Sequence, residues 1–204
     1  MRLRLWIVIG LAAVVLAIYG ALIFLWLGSS QGLAFDAGGS SDLATALKAY
    51  DLAEKVAQDW KGDAVPSSAS CAWTNPTEAE LLEGKMAWGF NFISPSSAEV
   101  QTISVFKGRA GALKTDRVED IPKTLSVVGW KVDSPQAMSI FLDNGGRDFL
   151  IAGHPDTNVH MHLSARADAG RLLWTVSALS ATSGSYISVQ VDATSSDMVE
   201  ILQG

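Results

Sequence analysis

The chain of 204 residues has little of what stabilises or marks many extracellular and membrane proteins. Its single cysteine, Cys71, allows no intramolecular disulfide and is predicted to be a small buried apolar residue, with an intermolecular disulfide as the alternative. Charged residues make up only 18% of the sequence, and an uncharged run long enough to cross a membrane occurs once. This composition excludes a polytopic membrane protein, a disordered chain and a disulfide scaffold.

Motifs of common catalytic sites are also missing. No P-loop is present, and neither a Gly-x-Ser-x-Gly turn nor a Gly-x-Gly-x-x-Gly turn joins a predicted strand to a predicted helix. Glu80 and Glu83 lie three residues apart, but a solvated face of a short helix explains them better than a pair of catalytic carboxylates. The chain is therefore predicted to be neither an enzyme nor a cofactor-binding protein.

The long uncharged run covers residues 5–27, 23 residues that account for much of the positive mean hydropathy of +0.24. At about 1.5 Å per residue, a helix of this length crosses a bilayer core. Trp6 and Trp26 lie near its ends, where they are expected to anchor it at the interfaces, and Arg2 and Arg4 precede it. The positive-inside rule then predicts a single-pass helix with its N-terminus in the cytoplasm.

Residues 1–4 thus form a predicted cytoplasmic stub, and the Gly/Ser-rich residues 28–41 a flexible linker to a domain outside the cell membrane. A cleaved signal peptide is the alternative, and it delivers the same outer domain. Within the apolar run, Ala13, Ala17 and Ala21 recur every four residues on one helical face. Small residues so placed allow close helix contact, which predicts a homodimer; their abundance in such segments is the alternative explanation.

The outer part of the chain is acidic. Removing the two N-terminal arginines leaves 13 of the 15 Lys and Arg against all 21 Asp and Glu, so residues 28–204 carry a net charge of −8. Nucleic acids and anionic lipid surfaces attract basic patches. Neither is therefore expected as a partner of this domain.

Two successive units are predicted beyond the linker, 42–120 and 121–204. In the first, Ser41 caps a helix that ends at Gly62, and the later elements are a short helix closed by Gly84 and strands over 70–74, 86–93 and 100–106. In the second, residues 125–132 are predicted to form a strand, Ser134 caps a helix, and Gly145-Gly146 ends it. The remaining predicted strands are 159–165, 172–179 and 186–191.

The two units share a hairpin pattern. Aligning Trp88 with Trp174 gives an offset of 86 residues that holds without a gap through the following strand, where Val105 meets Val191. Equal lengths and a shared tryptophan favour an internal repeat, although any two amphipathic hairpins align to some extent. The expected fold class is α+β: one transmembrane helix plus two repeated units, each a helix packed on a small antiparallel sheet.

The second unit resembles a PepSY-type domain in three places: the helix start Asp133-Ser134-Pro135-Gln136-Ala137, the strand opening Trp174-Thr175-Val176-Ser177, and the segment Val189-Gln190-Val191-Asp192-Ala193-Thr194. Ser195 and Ser196 stand where the family has a Thr-Gly pair. The resemblance covers 125–204 well and 42–110 weakly. It implies a non-catalytic extracytoplasmic module, of a kind often linked to the regulation of peptidases or to envelope sensing. The predicted function is accordingly a membrane-anchored interaction or regulatory domain that binds a protein or peptide.

The three histidines of the chain, His154, His160 and His162, all lie within nine residues. On a strand, His160 and His162 project from the same face, close enough to share a metal ion such as zinc or copper, with His154 and Asp156 as further ligands. The alternative function is therefore a metal- or small-ligand-binding domain. A plain solvated strand face explains the same pattern.

Overall fold

The computed structural model describes residues 43–153, 156–165 and 171–204. The predicted transmembrane segment 5–27, its anchors Arg2, Arg4, Trp6 and Trp26, and the alanine stripe of Ala13, Ala17 and Ala21 lie outside the described residues. Among the residues described, no helix is both long and apolar enough to cross a bilayer.

Four helices and eight strands make up the described part of the chain. The first half contains α1 (Ala46–Trp60), β1 (Val65–Thr74), α2 (Glu78–Glu83), β2 (Trp88–Ser94), β3 (Glu99–Phe106) and β4 (Arg109–Arg117). The second half contains α3 (Ser134–Phe141), α4 (Arg147–Gly153), β5 (Thr157–Ala165), β6 (Leu172–Ser180), β7 (Tyr186–Asp192) and β8 (Met198–Gln203).

All eight strands form one antiparallel sheet in the order β4-β3-β2-β1-β5-β6-β7-β8. The two halves join at its centre, where β1 and β5 pair over seven residues from Ser68–Ser164 to Thr74–Asn158. The expected fold class, two units each with its own small sheet, is therefore wrong. Separate sheets would leave β1 and β5 as edges with unpaired backbone N–H and C=O groups, and their pairing removes both edges.

The helices form a second layer on one face of this sheet. Side chains from alternate strand positions meet α1 and α3 in one aromatic and aliphatic core, which includes Tyr50, Phe90, Trp130 and Met138. The stripe of Trp88, Phe90 and Phe92 is fully buried there, as its period of two predicts. It is therefore part of the core.

The hairpins β2-β3 and β6-β7 have the same register. Trp88 pairs with Val105, and Trp174 pairs with Val191, so the 86-residue offset of the sequence alignment applies to both partners of each pair. This equivalence concerns strand pairing. Descent of the two halves from one duplicated unit stays a prediction.

Several local predictions were wrong, each for a physical reason. Residues 125–132 form no strand: they contain a 3₁₀ turn at Val127–Gly129, and the N–H groups of Leu125, Lys131 and Val132 donate to the Pro66 and Ala193 carbonyls outside any strand ladder. The Gly145-Gly146 pair does interrupt the helix as predicted, since Asn144 and Gly145 (φ +101°) are not helical, but the chain then forms a further helix, α4, that was not predicted. Strand β4 was missed because its polar sequence has no apolar alternation.

The N-terminus of α3 is tied to the rest of the helical layer by two side chains. Asp133, not Ser134, caps this helix through the Ser134 N–H. The Ser134 hydroxyl accepts a hydrogen bond from the Ala46 N–H at 3.0 Å and donates one to the Gly84 carbonyl at 2.7 Å. Because Asp133 caps the helix, the Ser134 hydroxyl is available to connect α1, the end of α2 and the start of α3 at one buried point. Similarly α1 begins after Thr45, and Ser41 lies outside the described residues.

Candidate functional site

The face of the sheet opposite the helices is the candidate functional site, here called the open face. In the described part of the chain every helix lies on the other side, because α1, α3 and α4 all pack against the buried strand positions. The alternate positions of the four central strands define the open face: Ser68, Ser70, Ala72 and Thr74 on β1; Gly89, Asn91 and Ile93 on β2; Asn158, His160, His162 and Ser164 on β5; Leu173, Thr175, Ser177 and Leu179 on β6. Ile93, Leu173 and Ser70 are buried, Thr74 is exposed, and the other positions are half-buried.

The central open face carries no Asp, Glu, Lys or Arg. None occurs anywhere in β1, β2, β5 or β6, although 18% of the chain is charged. Charges return only on the outer strands, with Lys114 and Asp116 on β4, Asp192 on β7 and Glu200 on β8. With strands about 4.8 Å apart and residues about 3.3 Å apart, the uncharged region measures roughly 19 by 25 Å.

Hydrogen bonds between strands hold the open-face side chains in place. The Thr102 hydroxyl donates to Asn91 Oδ1 at 2.8 Å, and the Asn91 amide donates to the Ser68 hydroxyl at 2.9 Å. On the other half, the Ser177 and Ser188 hydroxyls bond at 2.8 Å. Because these groups are ordered by the sheet itself, a partner binding here has less side-chain freedom to remove.

His160 and His162 lie at the middle of this face, on the central strand β5. Their rings are nearly parallel, 15° apart, with centroids separated by 6.3 Å, as expected for alternate residues of a strand. His162 lies between Ser70 and Thr175 on the neighbouring strands, and His160 lies between Ala72 and Ser177. On the two adjacent strands, the residues that flank the rings are uncharged.

Partial burial affects the charge of both imidazoles. Desolvation lowers the pKa of His160 to about 4, with repulsion from His162 as a smaller cause, and desolvation also lowers the pKa of His162. Both rings are consequently neutral at neutral pH. A neutral imidazole is both a hydrogen-bonding group and a metal ligand.

The predicted metal site is only partly described. His154 lies outside the described residues, and Asp156 accepts a hydrogen bond from Thr182 in the turn after β6. Asp156 is four residues from His160 along an extended chain, about 13 Å away, too far to share an ion with it. The described ranges contain no group of three metal-ligating side chains. Metal binding by His154, His160 and His162 therefore stays a prediction.

Two other candidate groups have structural roles. Glu80 closes a capping box at the start of α2: it accepts from the Thr77 N–H at 2.8 Å while its own N–H donates to the Thr77 hydroxyl. Cys71 is buried in the core, where burial raises the pKa of its thiol. A shallow cavity at the end of the sheet is lined by Ile121, Pro122, Lys123, Thr124, Ser126, Ala165 and Leu172, and gathers no set of catalytic groups.

Sequence reasoning predicted the histidine pair but missed the surface around it. The signal was present, since the four predicted strands that correspond to β1, β2, β5 and β6 contain no charged residue in an acidic domain, as is also true of the predicted strands 100–106 and 186–191. Its meaning depended on knowing that those four strands are neighbours. Only the pairing of β1 with β5 brings them together.

Comparisons with known proteins identify a shared fold. No family model matches the chain, and no curated protein is similar to it in sequence. A candidate lipoprotein of Clostridium difficile 630, known from its crystal structure, superposes with a TM-score of 0.52 at 12% identity over 81% of this chain and 97% of that protein. The likeness at this identity concerns the fold alone.

Proposed function

We propose that the chain is a membrane-associated extracytoplasmic protein that binds a protein partner on the open face and has no catalytic activity of its own. The observation that carries this proposal is the absence of charged residues from the four central strands of an otherwise acidic domain. Depletion of charge at the centre, with charged residues at the rim, is typical of protein interfaces.

The chemistry of the open face favours protein over other partners. A nucleic acid needs basic groups, and this face has none in its central strands. A lipid surface needs exposed apolar side chains, whereas serine, threonine, asparagine and histidine predominate here. The central region, roughly 500 Å² from its dimensions, is about the size of an interface core within a standard 800 Å² half-interface.

Location outside the cytoplasm is supported by two features. Residues 5–27 form an uncharged run preceded by Arg2 and Arg4, which favours a single-pass anchor with the domain outside. The protein of the same fold is a candidate lipoprotein, which supports a membrane-associated or extracytoplasmic location. The PepSY-type resemblance of 125–204 points to the same compartment and is kept as part of this proposal.

Site-specific photo-crosslinking in cells tests the binding surface. A photoreactive amino acid replaces Ala72 or Ser177, which flank His160, in the full-length protein. Both positions are expected to form an adduct of the same discrete mass. Gln136, exposed on α3 in the helical layer, is the matched control and is expected to form none.

A charge substitution separates specific binding from accidental contact. Thr175→Arg introduces a cation at the centre of the open face and is expected to reduce the adduct at Ala72 at least tenfold, while Gln136→Arg leaves it unchanged. The thermal midpoint of each variant checks that the fold is retained. Equal adducts from Gln136, or an adduct insensitive to Thr175→Arg, would contradict the proposal.

A second candidate function, divalent-ion binding, is favoured by the two neutral imidazoles of His160 and His162. Titration calorimetry with zinc and copper on the full chain tests it, with the double variant His160→Gln/His162→Gln as control. Heat that disappears in the double variant supports the site. Absent heat, or heat that the double variant retains, rejects it.

A further inference from the structure

The edge strand β8 differs from every other exposed surface of the sheet. Its sequence, Met-Val-Glu-Ile-Leu-Gln, contains one charge, and the large apolar side chains of Met198, Ile201 and Leu202 are 45%, 39% and 47% exposed. They project from both faces of the strand. The neighbouring Tyr186 on β7 is 44% exposed and extends the same apolar region.

The opposite edge, β4, is protected in the usual way. It carries Arg109, Lys114, Asp116 and Arg117, and charged residues on an edge strand oppose the addition of a further strand. Strand β8 has no basic residue and no proline. One edge of the sheet is thus closed to pairing, and the other has a composition that permits it.

The hydrogen bonds of β8 show which backbone groups are available. Tyr186 and Gly204 exchange both N–H to carbonyl bonds, at 2.8 and 3.1 Å, so Gly204 and then Leu202 and Glu200 direct their backbone groups toward β7. In an antiparallel ladder the intervening residues direct theirs away. Ile201 and Gln203 therefore present their N–H and C=O groups at the open edge.

We propose that β8 pairs with β8 of a second copy of this chain, antiparallel, about a two-fold axis at Ile201. This register matches outward-directed residues with each other: Ile201 meets Ile201 of the partner subunit. Glu200 then lies opposite Leu202 of the partner subunit, so the two Glu200 carboxylates of the dimer do not face each other. The result is a continuous sheet of sixteen strands.

A second copy fits this edge better than an unrelated strand because the pairing closes. An isologous contact uses the same patch on both subunits and leaves only the two charged β4 edges exposed. Pairing of β8 with β4 would instead be open-ended, and the β4 charges oppose it. The strand chemistry therefore predicts a dimer and excludes a filament.

Cysteine crosslinking of the full chain tests the register. Antiparallel hydrogen-bonded pairs have Cα atoms about 5.5 Å apart, within the range that a disulfide spans. Ile201→Cys is expected to convert most of the protein to a disulfide-linked dimer under mild oxidation, whereas Leu113→Cys on β4 is not. The native Cys71 is 6% exposed and is expected to form no disulfide in either variant.

Two further arms make the result specific. Glu200→Cys alone is expected to crosslink poorly, but an equal mixture of Glu200→Cys and Leu202→Cys chains is expected to crosslink well. Ile201→Lys is expected to weaken self-association at least tenfold in analytical ultracentrifugation, with Leu113→Lys as control. Failure of Ile201→Cys to crosslink above the Leu113→Cys level, or an unchanged association constant in Ile201→Lys, would overturn the proposal.

Discussion

The indole rings of Trp88 and Trp174 meet edge to face with their centroids 5.9 Å apart, although β1 and β5 lie between the strands that carry them. The Val132 carbonyl accepts hydrogen bonds from the indoles of both Trp174, at 2.8 Å, and Trp130, at 3.0 Å. This cluster connects the two halves of the core.

Removal of one of these rings is expected to destabilise the whole domain. Trp174→Ala leaves a large cavity among Trp88 and Trp130 and should lower the free energy of unfolding by about 3–5 kcal/mol. Trp60→Ala, at the partly exposed end of α1, is the control and should cost clearly less. Urea denaturation measures both; equal losses would contradict a central role for the cluster.

Gly84 is expected to tolerate no side chain. It has φ +57°, and a Cβ atom there would lie 2.5 Å from the Pro135 nitrogen. Gly108 also has positive φ, +69°, but open space around it, so Gly108→Ala measures the backbone cost alone, about 1–2 kcal/mol. Gly84→Ala should exceed that by a further ~1–3 kcal/mol from the clash. Similar denaturation midpoints for the two variants would show that α2 and α3 move apart at little cost in free energy.

Ser196 is expected to be improved by glycine. Its φ is +67°, a left-handed conformation that costs about 1 kcal/mol for a residue with a side chain. Ser196→Gly should therefore raise the thermal midpoint by a few degrees. Part of this gain is offset because glycine increases the conformational entropy of the unfolded chain. Ser185→Gly, at a position without positive φ in the loop between β6 and β7, should lower the midpoint. The opposite order of midpoints would argue that the turn after β7 relaxes freely.

Cys71 is expected to report global unfolding. Its thiol is buried and its pKa is raised, so the reactive thiolate is scarce in the folded protein. Maleimide labelling at neutral pH should be slow without denaturant and accelerate through the urea transition. The Leu113→Cys variant provides an exposed thiol for comparison. Labelling of Cys71 as fast as that thiol in native conditions would show local opening of β1.

The histidine pair is expected to make the fold sensitive to mild acid. Because the pKa of His160 is lowered in the folded state, to about 4 from an ordinary 6.5, the unfolded chain binds more protons between these values. The contribution of neutral His160 to the free energy of unfolding is thus fully present above pH 6.5 and declines as the pH falls toward 4. The loss should be on the order of 3 kcal/mol at pH 4. On the adjacent strands Ser70, Ala72, Thr175 and Ser177 face the rings, and none of them titrates in this range.

The double variant His160→Gln/His162→Gln should flatten this slope in urea titrations between pH 6.5 and 4. Asp63 does not interfere, because hydrogen bonds from the Ser96 and Ser94 side chains and the Ser96 N–H lower its pKa to about 2. Its contribution is lost only below the window. An unchanged slope in the double variant would assign the acid sensitivity to other groups.

Local structure was predictable where a pattern had one physical explanation. The alternation at Trp88, Phe90 and Phe92 predicted both the strand and its buried face. Gly84 was predicted to end a helix, and it does so in the left-handed conformation. The predicted cap at Ser134 was wrong by one residue, since Asp133 and Ser134 both have capping side chains and only their contacts with α1 separate the roles.

By itself the sequence determined the helical and strand faces, the two hairpins of equal length, the absence of disulfides and the placement of His160 and His162 on one face of one strand. These depend on residue spacing within short segments, where period and turn chemistry are sufficient. Only the tertiary structure decided that β1 and β5 pair into one eight-stranded sheet, because backbone hydrogen bonds between strands 90 residues apart carry no side-chain signature. That pairing places four uncharged strands side by side, leaves the apolar β8 at one edge and the charged β4 at the other, and so creates both surfaces to which a function is assigned.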